Sequence, residues 1–235
     1  GSAFLVQIYS ERGETISFKQ SSPEIRIPVK KWHKLINANK GHSLKIDIYV
    51  KQGKWVKYDV IANVIASDPI DSYLVYRSIG ITQTYYNKLG IYQRCLENFN
   101  TKAIFENTSV EKKTCMNCHS FCNNSSGKMS MHVRRFDGGT VIYNKGELRK
   151  YDTKTKYALS PATYTSWHPG GELIAYSVNR IMVNHTSFNS KMVEVWDNAS
   201  DLMVFDINNN SITTSPKIAT SGRENLPCWS PDGKW

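Results

Sequence analysis

Two kinds of apolar spacing alternate along the chain. Near its start, "AFLVQIYS" is an apolar run of strand length. "SPEIRIPV" then places Ile25, Ile27 and Val29 at every second position, the pattern of a strand with one buried face. "KKWHKLINANKG" changes the period: Trp32, Leu35 and Ile36 fall at helical spacing, and Gly41 suits a left-handed cap. "HSLKIDIYVKQGKWVKYDVIANVIA" returns to alternation, with Ile46, Ile48 and Val50 leading into a turn at Gly53 and Trp55 and Tyr58 leading back. Residues 1–67 therefore predict a small β-rich, sandwich-like domain. Residues 68–127 predict a helical connector. In it, "SYLVYRSI" reads as a short helix capped by Asp68 or Asp71, and Ile91, Cys95 and Phe99 fall one turn apart in a second helix.

From residue 128 to 235 the pattern is β again, and it repeats. "TVIYNKGELRKYD" is a hairpin turning at Asn144, Lys145 and Gly146, and "DLMVFDINNNSITT" is a strand, an Asn-rich turn and a strand. "WHPGGELIAYS" and "WSPDGKW" share a Trp, a Pro two residues later and a Gly. Pro231 presets φ for a tight turn, Asp232 caps it, and Gly233 supplies the positive φ that closes it. Two such turns point to one supersecondary unit used more than once. "MVNHTSFNSKMVEVWDNAS" then reads as an insertion within a unit. The fold class expected is mainly β.

Composition adds limits. The chain has 235 residues, and thirteen Tyr and six Trp agree with β structure. The net charge is +10, but the basic residues are scattered and follow no nucleic-acid-binding signature, so no nucleic-acid partner is expected. No stretch is apolar enough to span a bilayer. The leading Gly-Ser reads as an expression remnant, and the last residues follow a completed turn. The sequence thus reads as a piece of a longer polypeptide, with room for a signal, lipid anchor or peripheral membrane attachment upstream.

Chemistry concentrates in "KKTCMNCHSFCNN", which holds three of the five cysteines. A covalent c-type haem needs two thiols one turn apart and an adjacent imidazole for the iron. Cys115, Cys118 and His119 have that spacing. A second axial ligand would come from Met129, Met131, His132, His168 or His185, with His132 preferred ahead of Met131 and His185. His168 fills the turn slot that Ser230 fills in the second repeat, and so reads as a turn cap. Zinc is the alternative: Cys115, Cys118 and Cys122 would give three thiolates, with His132 or His185 as the fourth ligand. A disulfide from Cys115 or Cys118 to Cys122 or Cys95 is a further one. A thioredoxin-like pair is disfavoured because no βαβ unit surrounds the motif. Cys228 is expected to be a small core residue. No G-x-S-x-G or H-E-x-x-H occurs; Asp68, Asp71, Glu194, Asp197 and Asp201 offer carboxylates for a hydrolase pair, but turn capping explains most of them. An electron carrier or a binding protein is therefore expected before an enzyme.

"YTSWHPGGELIAYS", "DLMVFDINNN" and "LPCWSPDGKW" resemble the TolB-like β-propeller repeat. Taken in order with "CMNCHSF" and "MHVRRFDGGTVIYNKGELRK", they resemble a family of Gram-negative envelope proteins in which a C-x-x-C-H segment precedes a TolB-like propeller. The resemblance runs from about residue 68 to the end. It implies a periplasmic or outer-membrane-surface protein with haem c, electron transfer, and an envelope protein or redox partner. The alternative it leaves is a non-catalytic propeller scaffold that binds protein or polysaccharide.

Overall fold

A computed structural model of the chain describes residues 3–79, 89–107, 115–134, 138–185 and 193–235. The chain divides into two compact units, Gly1–Leu74 with Arg94–Thr101, and Val75–Gln93 with Lys102–Trp235. Among the described residues no helix is long and apolar enough to cross a membrane, which leaves membrane-crossing strands unaddressed.

The first unit is one sheet and one helix, where a sandwich was expected. Strands β1 (Ala3–Tyr9), β2 (Ile16–Gln20), β3 (Ser43–Gln52), β4 (Lys54–Lys57) and β5 (Ile61–Val64) form it, in the order β2-β1-β3-β4 with β5 also on β3. Helix α1 (Val29–Ala38) buries Leu35 among Val6, Ile8, Ile16 and Leu44. The alternation at Ile25, Ile27 and Val29 does not make a strand. Pro23 and Pro28 remove two ladder donors. The Gln20 amide instead bonds the carbonyls of Ser22 and Glu24 at 2.7 and 2.6 Å, folding the segment on itself, and Val29 opens α1.

The connector is β, not helical. β6 (Tyr73–Ser78), β7 (Gly90–Cys95) and β8 (Thr101–Glu106) form a three-stranded sheet in that order. Helical spacing over so short an apolar run is ambiguous, and aromatic and β-branched content decides for strand. Tyr76 and Tyr92 stack with ring centroids 5.8 Å apart. Phe99, expected on a helix face, sits at φ +63° in the turn that returns β7 to β8.

The larger unit carries two four-stranded antiparallel sheets of the same up-and-down design. The first is β9 (Cys115–Phe121), β10 (Lys128–Arg134), β11 (Gly139–Asn144) and β12 (Glu147–Tyr151). The second is β13 (Thr163–Trp167), β14 (Leu173–His185), β15 (Val193–Asp206) and β16 (Ser211–Thr213). The hairpin between β11 and β12 turns at Lys145 and Gly146, both at positive φ, as Asn-Lys-Gly predicts. The first strands of the two sheets, β9 and β13, lie against each other. Ile142 of the first sheet and Cys122 of the turn after β9 share a core with Trp167, Ile174, Tyr176, Val178, Met203 and Phe205 of the second sheet. On its other face the first sheet packs Met116, Met129, Met131 and Val133 with Leu89 and Ile91. This is a propeller-like β fold. The expected insertion is an extension of the β14–β15 hairpin, and residues 186–192 lie outside the described residues.

Candidate functional site

The C-x-x-C-H run, expected in a helical connector, is strand β9. It is also a third copy of the repeat. Three residues before Phe121, Trp167 and Trp229 stand Cys118, Tyr164 and Leu226, at φ +55°, +49° and +55°. Few non-glycine residues adopt this left-handed backbone, so finding it at one register in three segments marks a common template. In β9 and β13 it coincides with a break in strand register, a β-bulge. Asn117 and Asn225 precede two of these residues, and each accepts its neighbour's amide N–H, at 2.7 and 2.9 Å. Sequence reading missed the third copy because Phe121 replaces Trp and Cys122-Asn123 replaces His-Pro or Ser-Pro. The shared signal was the aromatic three residues after the bulge.

The turns after these strands touch in series. Cys122, His168 and Ser230 occupy the same slot. The Cys122 thiol faces the His168 carbonyl at 3.9 Å, and Asn123 donates to the Pro169 carbonyl at 2.8 Å. Lys128 donates to the Gly171 carbonyl at 2.8 Å while its ammonium sits 5.8 Å from the Trp167 ring centre. His168 Nδ1 accepts the Gly170 N–H at 2.9 Å, so its Nε2–H is the one that donates to the Gly233 carbonyl at 3.1 Å. The His168 ring packs edge-on to Trp229. His168 caps its turn, as its slot predicted, and both its nitrogens are engaged.

The strands are joined as closely as the turns. Thr165 Oγ1 donates to the Cys118 carbonyl at 3.2 Å and lies 2.8 Å from Ser120 Oγ. Trp167 Nε1 donates to the Ser120 carbonyl at 3.3 Å. His119 is half-buried on the other face. Its ring stands edge-on to Phe121, which packs against the Met116–Met131 cluster. Burial and the nearby Arg77 guanidinium lower its pKa, opposed by a hydrogen bond to the Val75 backbone.

His132 points away from His119. Met131 lies in the cluster with Phe121, and its neighbour His132 projects to the opposite face. There its Nδ1 is 3.3 Å from Thr140 Oγ1, which in turn lies 3.0 Å from Thr153 Oγ1. His132 is fully buried, and its Nε2 has no hydrogen-bond partner among the described residues. Burial first, and Arg134 second, push its pKa down to about 4. Two imidazoles on opposite faces of one sheet do not reach one iron, so His132 is not placed as His119's axial partner. Met129 and Met131 are on the His119 face, buried in the core.

The backbone does not fit a thioether-linked haem. Cys115 to Phe121 is extended with one left-handed residue, not a single helical turn, and Met116 between the cysteines is completely buried in the core. The side chains of Cys115 and His185 lie outside the described residues. For the zinc alternative, no group of three His, Cys, Asp or Glu placed to hold a metal occurs among the described residues. Cys95, Cys122 and Cys228 are thiols. Cys228, expected in the core, is exposed, because its segment is not in a strand and leaves it uncovered.

A separate cavity of about 590 Å³ opens at the other end of the strands. Arg134 from the end of β10, Lys150 from β12 and Lys154 beyond it bring three cations to its wall, with Asp152 between the lysines. Thr163 and Asn179 form a fixed polar side. Asn179 Oδ1 accepts from Thr163 Oγ1 at 2.6 Å and from Ser177 Oγ at 2.9 Å. Its Nδ2 donates to Asp197 Oδ1 at 3.1 Å, and Asn225 donates to the other Asp197 oxygen at 2.8 Å. Asp197, expected to be a turn cap, is the hub of this network. The clustering of Arg134, Lys150 and Lys154 was invisible in sequence, because it depends on which strand ends meet.

No family model matches the chain, and no curated protein matches it. Among solved structures, "Oligogalacturonate lyase in complex with manganese" is similar at a TM-score of 0.43 and 14% identity. The likeness covers 99% of this chain and 57% of that one, so the chain spans well under two thirds of the length of the structure it matches.

Proposed function

We propose that this chain is a non-catalytic binding scaffold of the β-propeller type, in which the C-x-x-C-H run is part of the frame. The observation that carries this reading is the left-handed residue shared by Cys118, Tyr164 and Leu226 at one register of three repeated segments, two of them strands. It makes the motif's central cysteine the counterpart of a tyrosine and a leucine, positions defined by backbone geometry and not by thiol chemistry. The hydrogen bonds from Thr165 and Trp167 onto β9 support the same reading, since they fasten this strand to its neighbour.

The test is expression of the chain with a c-type maturation system, alongside Cys115→Ala and Cys118→Gly. Glycine accepts positive φ without strain, so Cys118→Gly is expected to fold with unchanged or slightly raised Tm. The wild-type chain is expected to give no pyridine haemochrome after denaturation. Covalent haem in the wild type, lost in both variants, would overturn the scaffold reading in favour of an electron carrier.

A further inference from the structure

The sheet of the first unit has a face that α1 does not cover. Helix α1 packs on the side of Ile46 and Ile48. By strand alternation the other side carries Lys45, Asp47, Tyr49 and Lys51 of β3. Pairing register sets Lys19 of β2, and Trp55 and Lys57 of β4, on the same side. Contacts across the strands agree. The Lys57 ammonium is 2.8 Å from Asp47 Oδ2, and Tyr9 of β1 donates to that oxygen at 3.4 Å. The Lys19 ammonium sits 5.9 Å from the Trp55 ring centre, and the Lys57 ammonium 5.6 Å from that of Tyr49.

This face is basic. Lys19, Lys45 and Lys51 are exposed, and among the described residues none of the three has an ion pair. Lys57 is the fourth lysine, and it pairs with Asp47, whose carboxylate is buried. Counting Asp59 as well, exposed in the link between β4 and β5, still leaves two positive charges in excess. The charge is also spread out. Lys45 and Lys51 lie at the two ends of one extended stretch of β3, about 20 Å apart. The lysines come from β2, β3 and β4, so strand pairing gathers them where the sequence scatters them.

We propose that this face binds a linear acidic polysaccharide, with carboxylate or sulfate groups along its length. The excess charge selects an anion, and its spread over about 20 Å selects a polymer before a single small ion. The Lys45 and Lys51 ammonium groups make charge-assisted hydrogen bonds to two of its acidic groups. Gln7, which pairs with Asp47 in the sheet, offers a donor and an acceptor to sugar hydroxyls between them. The rings argue against single-stranded nucleic acid. Bases stack on open aromatic faces, whereas Trp55 and Tyr49 each already hold an ammonium. The same lysines disfavour a bilayer, because lying in a membrane surface needs an apolar face turned towards the lipid. The inference goes beyond the scaffold reading: it concerns the first unit and holds whether or not the C-x-x-C-H run takes haem.

The experiment is calorimetric titration of the whole chain, at low salt, with fragments of hyaluronan and of heparin. Neutral dextran, a single-stranded thymidine oligonucleotide and phosphatidylserine vesicles are the comparison probes. One of the two acidic polysaccharides is expected to bind ten or more times tighter than any comparison probe, and the winner tells carboxylate from sulfate. The double variant Lys45→Gln with Lys51→Gln is expected to weaken that probe at least tenfold, roughly the effect of losing one charge-assisted contact. Lys30→Gln with Lys40→Gln removes the same charge from exposed positions on and just after α1, and is expected to leave binding unchanged. No binding of either acidic polysaccharide, tighter binding of the oligonucleotide or the vesicles, or equal losses in the two double variants would each overturn the proposal.

Discussion

Replacing His132 with leucine should convert an acid-sensitive sheet into a less sensitive one. His132 is fully buried, with Nε2 unpartnered and Nδ1 shared with Thr140. Its pKa falls from 6.5 to about 4 through burial, helped by Arg134. The unfolded chain therefore binds a proton between these values that the folded chain refuses. Stability from this group is complete above about pH 6.5 and drains away as pH falls towards 4, because the unfolded state holds more protons there. With these two values the loss by pH 4.5 is about 2–3 kcal/mol. Leucine has no proton to take up and fills a similar volume. It deletes an unsatisfied nitrogen, and Thr140 keeps its bond to Thr153. At pH 7 the variant should lie within about 1.5 kcal/mol of the wild type. Urea denaturation followed by tryptophan fluorescence at pH 7 and pH 4.5 makes the comparison. Other titrating groups act equally in both proteins and cancel in the difference. The variant should gain about 2–3 kcal/mol on the wild type between the two pH values. A difference that stays constant with pH would show that His132 is not held neutral by burial.

Other substitutions test the repeat and its turns. Asn117→Ala should cost about 1 kcal/mol, because its side chain accepts the amide of a left-handed residue, and Asn225→Ala should cost more, because it loses the same bond and its bond to Asp197 as well. Chemical denaturation makes the comparison, and no loss at Asn117 speaks against equivalent repeats. Gly171→Ala should lower stability by about 1–2 kcal/mol, since Gly171 sits at φ +76° with the Lys128 ammonium and Cys122 thiol close to where a Cβ would be; a thermal scan that shows no drop in Tm contradicts this. Trp167→Ala should cost about 3–5 kcal/mol, because the indole is buried in the shared core and bonds the Ser120 carbonyl. Loss of near-ultraviolet circular dichroism with little change in the far ultraviolet is the expected signature.

Much of the β architecture was legible along the chain. Alternation at Ile46, Ile48 and Val50 and the turn at Lys145 and Gly146 are local features, and local sterics settle them. The repeat of Trp-x-Pro-x-Gly was legible for the same reason, since a proline's fixed φ and a glycine's positive φ are properties of single residues. Helices proposed around Tyr73–Ser78 and Gly90–Cys95 failed because a short apolar run fits either period, and the partner strand that decides is distant in sequence. The C-x-x-C-H run shows the limit most clearly. Its composition pointed to haem or zinc. Its backbone is that of a bulged strand at the end of its sheet, and this follows from the left-handed residue at Cys118, the contacts with Thr165 and Trp167, and a core position for Met116.

By itself the sequence determined a mainly β chain, the placement of its tight turns and the repetition of one unit, because these depend on periodicity and on single-residue conformational limits. Only the tertiary structure decided that His119 and His132 face opposite ways, that Cys118 stands where Tyr164 and Leu226 stand, and that Arg134, Lys150 and Lys154 share one cavity. Those facts depend on register and on which strand ends meet. Both are set by pairing between distant segments, where a shift of one residue reverses every face.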